Sequence, residues 1–493
     1  MISTMISTST RGTSARRRLI AIALALTTAV GLTVAAAGSA GGAAPQAALV
    51  DRTGLVNPFI GTENFGNTFP GASAPFGMVQ VSPDTGGQGG YDYHGTSIHG
   101  FSQTHLSGVG CGVVGELPIM PTTGAVTTGD YATYASPFSH ADETSTPGYY
   151  RVGLAKYGIN AEMTATDRTG WQRYTFPTGT AHNVLFNTGQ ANMPVLDSDI
   201  RVIGDHTLEG KVHDGGFCAG HDQHTVYFTA EFDKPFSSYG TWAGSTLSSG
   251  ARDAANGSGN KGAWVSFGSS AAQVTLKVGL SYTGLGGARA NLRAETGSGY
   301  DFDATRAALK ARWNKQLSLA TVAGGTHDRQ VAYYTSLYHS MLHPNLAGDV
   351  DGSYNGFDNK IHRATDYTPR QNFSLWDTYR TQNQLLELLA PRVARDDALS
   401  LPGDRPRGRL AAPMGPCQQR NEHHDRRPRD ADARRTLVQR LPRRPRGRGV
   451  RTAEEERHRA GPGRFPVQRA GRRRAVRQAR LHPLRTHARD GLP

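Results

Sequence analysis

The sequence is poor in cysteine, with 3 among 493 residues, which excludes a disulfide-dense scaffold. It also lacks a three-residue glycine period and sustained heptads, so collagen-like and coiled-coil architectures are excluded. Beyond the first fifty residues, no stretch approaches the roughly 18 consecutive apolar residues of a membrane span. The length suffices for roughly two to four domains with a sizeable core.

Lysine is absent after Lys360, and the formal net charge of +14 is unevenly distributed. Residues 392–493 contain 28 Arg, no Lys and 11 acidic residues, a net charge of +17. Residues 1–391 carry 26 basic and 29 acidic side chains. Because all of the positive excess lies in the tail, the body of the protein is not a polyanion binder, and we expect no nucleic-acid partner.

The first fifty residues have the pattern of an export signal. Arg11 and Arg16–Arg18 precede an apolar run from Leu19 to Ala37, and small residues follow. This pattern predicts a signal peptide over residues 1–48. Threonines and a glycine dilute the run, which favours export over a membrane anchor. We therefore expect a secreted, extracytoplasmic protein with no membrane partner after signal cleavage.

The next region, residues 52–295, has the pattern of a large antiparallel β-sandwich. Short segments of β-branched and aromatic residues recur between clusters of Gly, Pro, Asn and Asp, without helical periodicity between them. The predicted strands are 149–155, 171–176, 183–186, 225–232, 263–267 and 273–282.

From about residue 300 the apolar period becomes that of amphipathic helices. Helices are predicted over 303–317, 328–342 and 373–389, with Asp303 as the N-cap of the first. The predicted fold class is therefore α+β and multidomain. It consists of the antiparallel sandwich, the helices that begin a second domain over 300–391, and a disordered Arg-rich tail.

Three segments carry the information about function. Residues 56–84 contain NPFIGT, TFPGA and PFGMVQVSPD, and residues 100–111 read GFSQTHLSGVGC. Loops rich in Gly and Pro with aromatic, amide and imidazole side chains form ligand rims on β scaffolds. The third segment, FSLWDTYR at 373–380, opens an amphipathic helix. Its indole, carboxylate and guanidinium groups suit stacking on a sugar ring and hydrogen bonding to vicinal hydroxyls.

With these motifs in this order, residues 55–391 resemble glycoside hydrolase family 92, the calcium-dependent exo-acting α-mannosidases. The resemblance implies a β-sandwich packed on an (α/α)6 barrel, and hydrolysis of terminal, most often 1,2-linked, α-mannosides with inversion. Inversion needs a general acid and a general base about 6.5–9.5 Å apart. The resemblance also implies a calcium cofactor that binds sugar hydroxyls, and mannose-containing glycans as partners.

The resemblance places Trp376 and Asp377 in the subsite for the terminal mannose, with Arg380 beside them. The alternative is an ordinary helix start, with Asp377 paired to Arg380 and the indole buried. Gly61 and Thr62 lie where the first loop of the family approaches the mouth of the active site, as do the neighbouring Glu63 and Asn67.

His105 has three possible roles, namely a substrate-binding donor at the rim, a metal ligand or a structural histidine. Together with Asp92, His94 and His99 it resembles a metal cluster in composition, but the spacing fits no zinc signature and we do not favour one. A disulfide between Cys111 and Cys218 is possible in an exported protein, and the sequence leaves it open.

The resemblance ends after Asp396. The segment that follows is rich in Arg, Pro, Ala and Gly and shows no apolar period. The general acid, the general base and most calcium ligands of the family would lie there, so we expect them to be absent from this chain. The chain alone would then be inactive, or a non-catalytic carbohydrate-binding remnant.

A shift of reading frame between Asp396 and Leu410 explains this composition better than an arginine-rich tail that binds polyanions. In the codons read one base forward, Met414 followed by the G of Gly415 gives an obligatory tryptophan. Read from Leu410 onward, the shifted frame permits Trp-Leu-Pro-Arg-Trp-Ala-Leu-Ala-Asn, in which the second tryptophan is the obligatory one. This sequence is similar to the continuation of the family. We therefore predict that residues 392–493 are an out-of-frame translation.

Overall fold

The computed structural model describes residues 50–216, 220, 223–254, 257–269 and 271–400, apart from the side chains of residues 375 and 376. The predicted signal peptide and residues 401–493 of the predicted tail lie outside the described residues. In chain order, the strands are β1 (Ala72–Ser73), β2 (Gln80–Pro83), β3 (Ser97–Ile98), β4 (Phe101–Ser102), β5 (Ile119–Thr123), β6 (Ser136–Pro137), β7 (Thr144–Thr146), β8 (Tyr149–Leu154), β9 (Ile159–Ala165), β10 (Thr169–Thr175), β11 (His182–Asn187), β12 (Val195–Ile203), β13 (Thr207–Gly215), β14 (Gln223–Phe232), β15 (Ser238–Ala243), β16 (Thr246–Ser249), β17 (Asp253–Ala254), β18 (Lys261–Ser266), β19 (Gln273–Ser281), β20 (Asn345–Leu346), β21 (Ser353–Asn355), β22 (Ile361–Arg363) and β23 (Arg370–Gln371). The α-helices are α1 (Leu285–Thr296), α2 (Phe302–Leu317), α3 (His327–Ser340), α4 (Leu375–Thr378), α5 (Gln382–Leu389) and α6 (Pro391–Ser400).

Most strands form two large antiparallel sheets. One has eight strands in the order β1-β2-β4-β5-β11-β18-β15-β16, and the other has nine in the order β17-β12-β13-β14-β19-β10-β9-β8-β7. Buried side chains from both sheets form one continuous hydrophobic core. This is the β-sandwich that the sequence predicts, and the fold class is confirmed, with a β-rich N-terminal region followed by helices.

Burial along the strands reflects what covers each face. In β14, buried and partly exposed residues alternate through most of the strand, as expected when one face meets the core. In β19, every residue after Gln273 is buried, because α1 covers its other face. A Cβ atom at Gly279 would lie 2.6 Å from Leu292 Cβ, so only glycine allows the helix to approach this closely.

Helix α2 connects the sandwich to the helical region. Its Trp313 is fully buried, donates its indole N–H to the Ser73 carbonyl across 2.7 Å and lies 4.6 Å from the Tyr338 ring of α3. The neighbouring Leu309 packs over the turn at Gly148. These contacts fix the helices against the edge of the sandwich that carries β1, β7 and β8.

All six predicted strands are present, within a few residues of their predicted bounds. The predicted helices 303–317 and 328–342 correspond to α2 and α3. The N-cap of α2 is Asp301, whose carboxylate accepts the N–H of Ala304, while Asp303 instead forms an ion pair with Arg173. The prediction of Asp303 as the cap was therefore wrong by one half-turn.

Three features of the helical region differ from the predicted bounds. The predicted helix 373–389 is divided into α4 and α5, because Thr381 adopts a left-handed φ of 75° between them. Helix α1 begins inside the predicted sandwich range 52–295 and ends one residue beyond it. Helix α6 includes nine residues of the predicted tail and begins at Pro391, a residue favoured in the first helical turn. No helix in the described part of the chain is long and apolar enough to cross a membrane.

Candidate functional site at the junction of sandwich and helices

The loop that carries Gly61 and Thr62 is a turn at the surface of the sandwich. Gly61 has a φ of 86°, a left-handed conformation that favours glycine. Thr62 is buried, and its hydroxyl donates to the Phe59 carbonyl across 2.8 Å. Further along the loop, Phe65 is 96% exposed, so this turn presents an aromatic ring directly to solvent.

The structure places His105 in the protein interior. Its side chain is fully buried, with Nδ1 2.9 Å from the Gln80 carbonyl oxygen and Nε2 3.2 Å from Oδ1 of Asp84. The carboxylate of Asp84 also accepts hydrogen bonds from the backbone N–H and hydroxyl of Ser102. This is the environment of a structural histidine, one of the three roles left open, and a direct part in substrate binding stays a prediction.

The histidines near His105 have separate partners. His94 lies 3.2 Å from the carboxylate of Glu63, and His99 stacks on Tyr131. Among the described residues, Asp92, His94, His99 and His105 do not form a group that could share one metal ion.

Ser107 and His343 connect the second sequence motif to the helical region. The backbone N–H of Ser107 donates to Nε2 of His343 across 3.1 Å, and the Ser107 hydroxyl is 2.7 Å from that of Thr68. Burial lowers the pKa of His343 to about 4, so its imidazole is neutral near pH 7 and can accept this bond. The first two sequence motifs therefore meet beside the segment that follows α3.

The third motif contains α4 and the residues beside it. Asp377 is exposed and accepts a hydrogen bond from the Ser374 hydroxyl, while the guanidinium of Arg380 lies 4.8 Å from the Tyr379 ring centroid. In the part of the chain that the structure describes, Asp377 and Arg380 do not form the ion pair of the alternative reading. The side chain of Trp376 lies outside the described residues.

A shallow cleft is lined both by the end of α4 and by His343. It has room for about one water molecule, so it is not a complete ligand pocket. The polar side chains that line it are His343, Asn372, Thr378, Gln382 and Asp397. The same imidazole thus contacts the sandwich loop and faces the helix that carries Asp377, which brings all three motifs to one region.

A second polar cluster lies inside the sandwich, and sequence reasoning missed it. Glu116, Asp214 and His224 are all buried and could hold a metal ion, since their ligand atoms lie within 4.8 Å of one another. His224 Nε2 is 2.5 Å from Oε1 of Glu116 and 3.1 Å from Oδ1 of Asp214. The available signal was alternation, because Asp214 and His224 occupy inward positions of β13 and β14.

Comparison with known proteins gives two matches to family models that together extend from residue 55 to residue 420. Residues 55–281 match the glycosyl hydrolase family 92 N-terminal domain, and residues 287–420 match the family 92 catalytic domain. The boundary between the two matches falls next to the start of α1.

Solved structures give the same relationship. A family GH92 α-mannosidase from Bacteroides thetaiotaomicron has 33% sequence identity and a TM-score of 0.65, covering 71% of this chain and 49% of that one. The same enzyme has been solved in complex with mannoimidazole. A GH92 inverting mannosidase from Bacteroides thetaiotaomicron VPI-5482 has 25% identity and a TM-score of 0.63, covering 71% of this chain and 48% of that one.

A curated relative from Arthroderma benhamiae, described as an uncharacterized secreted glycosidase, is 27% identical over 369 residues. The match covers 67% of this chain and 45% of the relative. The chain therefore spans about half the length of the relatives that it matches.

Proposed function

Because this chain belongs to glycosyl hydrolase family 92, we propose that its activity is that of a secreted, exo-acting α-mannosidase. The reaction is the release of terminal, chiefly α-1,2-linked, mannose from glycans with inversion at the anomeric carbon. The observation that supports this most directly is the pair of family matches over residues 55–281 and 287–420, in a chain similar to solved mannosidases. Its similarity to a glycosidase described as secreted, together with the export pattern of residues 1–48, supports secretion.

The proposed contact with the terminal mannose is made by the α4 segment. Asp377 presents an exposed carboxylate that accepts hydrogen bonds from sugar hydroxyls, and the exposed Arg380 donates to them. Trp376 supplies the residue type that stacks on the apolar face of a hexose. Gly61 and Thr62, in the loop that carries the exposed Phe65, are proposed to contribute to the mouth of the same site.

Calcium is part of this proposal, although we assign it to no described residue. The described side chains that could share a metal ion include an imidazole, whereas calcium prefers an all-oxygen shell. When bound, calcium would supply polarisation and orientation of the sugar hydroxyls. Its ligands are expected chiefly in the family's sequence beyond the position of Asp396.

We likewise assign no general acid or base to the described residues. An inverting enzyme needs two carboxyl groups about 6.5–9.5 Å apart on opposite faces of the sugar, with room for a water molecule. These groups are expected beyond Asp396. The 493-residue chain is accordingly proposed to have little or no turnover, and its second candidate function is non-catalytic mannoside binding through the exposed Asp377 and Arg380.

The test compares turnover and binding in one preparation. Purified 493-residue chain is incubated with α-1,2-mannobiose with and without added calcium, and mannose release is measured beside calorimetric titration with methyl α-mannoside. We expect no mannose release with or without calcium, and weak but saturable binding of methyl α-mannoside. Rapid mannose release would overturn the proposed loss of the acid and base. Absence of both mannose release and mannoside binding would refute the second candidate function without affecting the assignment of the chain to family 92.

A further inference from the structure

We propose that Glu116, Asp214 and His224 form a binding site for a divalent transition-metal ion of the Zn²⁺ type inside the β-sandwich. This site is separate from the proposed sugar site and from the calcium of the proposed reaction. It would bind its ion with one imidazole nitrogen and two carboxylate oxygens, and both donor types are zinc ligands in proteins.

The geometry is close to what one ion requires. The three ligand atoms lie within 4.8 Å of one another, and His224 Nε2 is 2.5 and 3.1 Å from the two carboxylates. Zinc bonds to nitrogen and oxygen are about 2.0–2.2 Å long, so ligand atoms around one ion lie roughly 3–4 Å apart. Shifts of about 1 Å or less at the side-chain ends would therefore admit the ion.

The charge of the cluster favours a cation. All three side chains are buried, with exposures of 0% for Glu116, 0% for Asp214 and 4% for His224. A divalent ion binds the deprotonated forms of these groups, and two carboxylates with one neutral imidazole would balance its charge inside the sandwich.

The backbone holds these ligands at fixed positions. Asp214 and His224 are directly opposite each other on the neighbouring antiparallel strands β13 and β14. Glu116 comes from the loop before β5 of the other sheet. Flanking residues adopt left-handed φ values of 53° at Val114 and 57° at Leu117, an uncommon and costly conformation for such side chains.

A neighbouring hydroxyl orients the glutamate. Thr104 Oγ1 donates to Oε2 of Glu116 and accepts from its backbone N–H, which leaves Oε1 directed at the imidazole. Hydrogen bonds of this kind to a metal-binding carboxylate fix its orientation and tune affinity. With ligands from both sheets, a bound ion would cross-link the two halves of the sandwich.

The alternative is a hydrogen-bonded triad without metal, in which His224 Nε2–H is shared by the two carboxylates. Titration of the 493-residue chain, purified with and without EDTA, distinguishes the two by calorimetry with ZnCl₂ and with CaCl₂ and by elemental analysis. We expect one Zn²⁺ per chain, a higher Tm after zinc addition, and no comparable effect of calcium. Absence of stoichiometric zinc binding, or equal binding of calcium, would overturn the proposal.

Variants locate the site. Glu116→Gln keeps the size and the hydrogen-bonding oxygen but removes a charge, and it is expected to weaken zinc affinity at least ten-fold. Thr104→Val is expected to weaken it about ten-fold by freeing the carboxylate. The matched control is Glu162→Gln, a buried carboxylate paired with Arg173 at a distance from the cluster. If Glu116→Gln does not fold, the direct titration of the unaltered chain still shows whether the protein binds one zinc ion. Zinc binding that survives in a folded Glu116→Gln chain would contradict the assignment.

Discussion

Ser107 donates its backbone N–H to Nε2 of His343 across 3.1 Å, joining two residues that are 236 positions apart in the chain. The bond connects the His-Leu-Ser-Gly loop of the sandwich to the segment that leads into the helical region. His343 accepts it only while its imidazole is unprotonated at Nε2. The contact between the two parts of the molecule is therefore coupled to pH.

The first prediction concerns acid stability. Burial lowers the pKa values of His343 and His339 to about 4, below the roughly 6.5 of an unfolded histidine. Between these values the unfolded chain binds more protons, so the free energy of unfolding falls as the pH falls from about 6.5 to about 4. At pH 5 each histidine should account for a loss of about 2 kcal/mol relative to pH 7. Urea denaturation at the two pH values measures the loss.

The variant His343→Gln supplies the control. Its side-chain oxygen can accept the Ser107 N–H without titrating, so the loss between pH 7 and pH 5 should shrink by about half. The same change at His339, whose pKa burial also lowers to about 4, should reduce the loss by a similar amount. A pH dependence identical in all three proteins would contradict the role of His343.

The second prediction concerns the attachment of α2 to the sandwich. Trp313→Phe removes the donor to the Ser73 carbonyl and leaves that buried oxygen without its partner. The expected loss in the free energy of unfolding is about 1–3 kcal/mol from the hydrogen bond, plus a smaller packing term. Trp264→Phe is the matched control, because the Trp264 indole N–H has no hydrogen-bond partner in the described part of the chain. Equal losses in the two variants would contradict the importance of the bond.

The strands were predictable because their signal is local. In β14 the inward positions recur every second residue, and the sequence shows this alternation directly. Helix α1 was not predicted, because Gly286 and Gly287 weaken its intrinsic helical preference. It is stabilised by packing on β19, where Gly279 allows close approach, and this tertiary contact has no local signature.

The prediction of candidate sites is limited in the same way, because tertiary contacts have no local signature in the sequence. The Asp377 segment is contiguous in sequence and could be identified from one stretch of residues. Glu116 lies about a hundred positions before the strands that carry Asp214 and His224, and only the packing of the two sheets brings them together. His105 shows the converse, since its loop has the composition of a ligand rim while its ring is fully buried. Composition does not determine which way a loop side chain points.

The third prediction concerns the coding sequence. The match to the family 92 catalytic domain runs to residue 420, which is 24 residues beyond the predicted end of the resemblance at Asp396 and inside the Arg-rich segment. If a reading-frame shift lies between Asp396 and Leu410, resequencing the codons for residues 385–420 will show one base gained or lost. The corrected protein should then release mannose in a calcium-dependent manner. An unchanged reading, with tail peptides detected by mass spectrometry of the native protein, would contradict the shift.

The fourth prediction concerns recognition of mannose by α4. Asp377 has an exposed carboxylate, so Asp377→Asn should leave the fold intact while replacing charge-assisted hydrogen bonds to sugar hydroxyls with weaker ones. A loss of about 1.5–3 kcal/mol corresponds to roughly 10- to 150-fold weaker binding of methyl α-mannoside, measured by calorimetry. The control Asp328→Asn removes another exposed aspartate, in the first turn of α3, and should not change affinity. An equal effect of both substitutions would indicate a general charge effect, and no effect of Asp377→Asn would exclude this carboxylate from the sugar site.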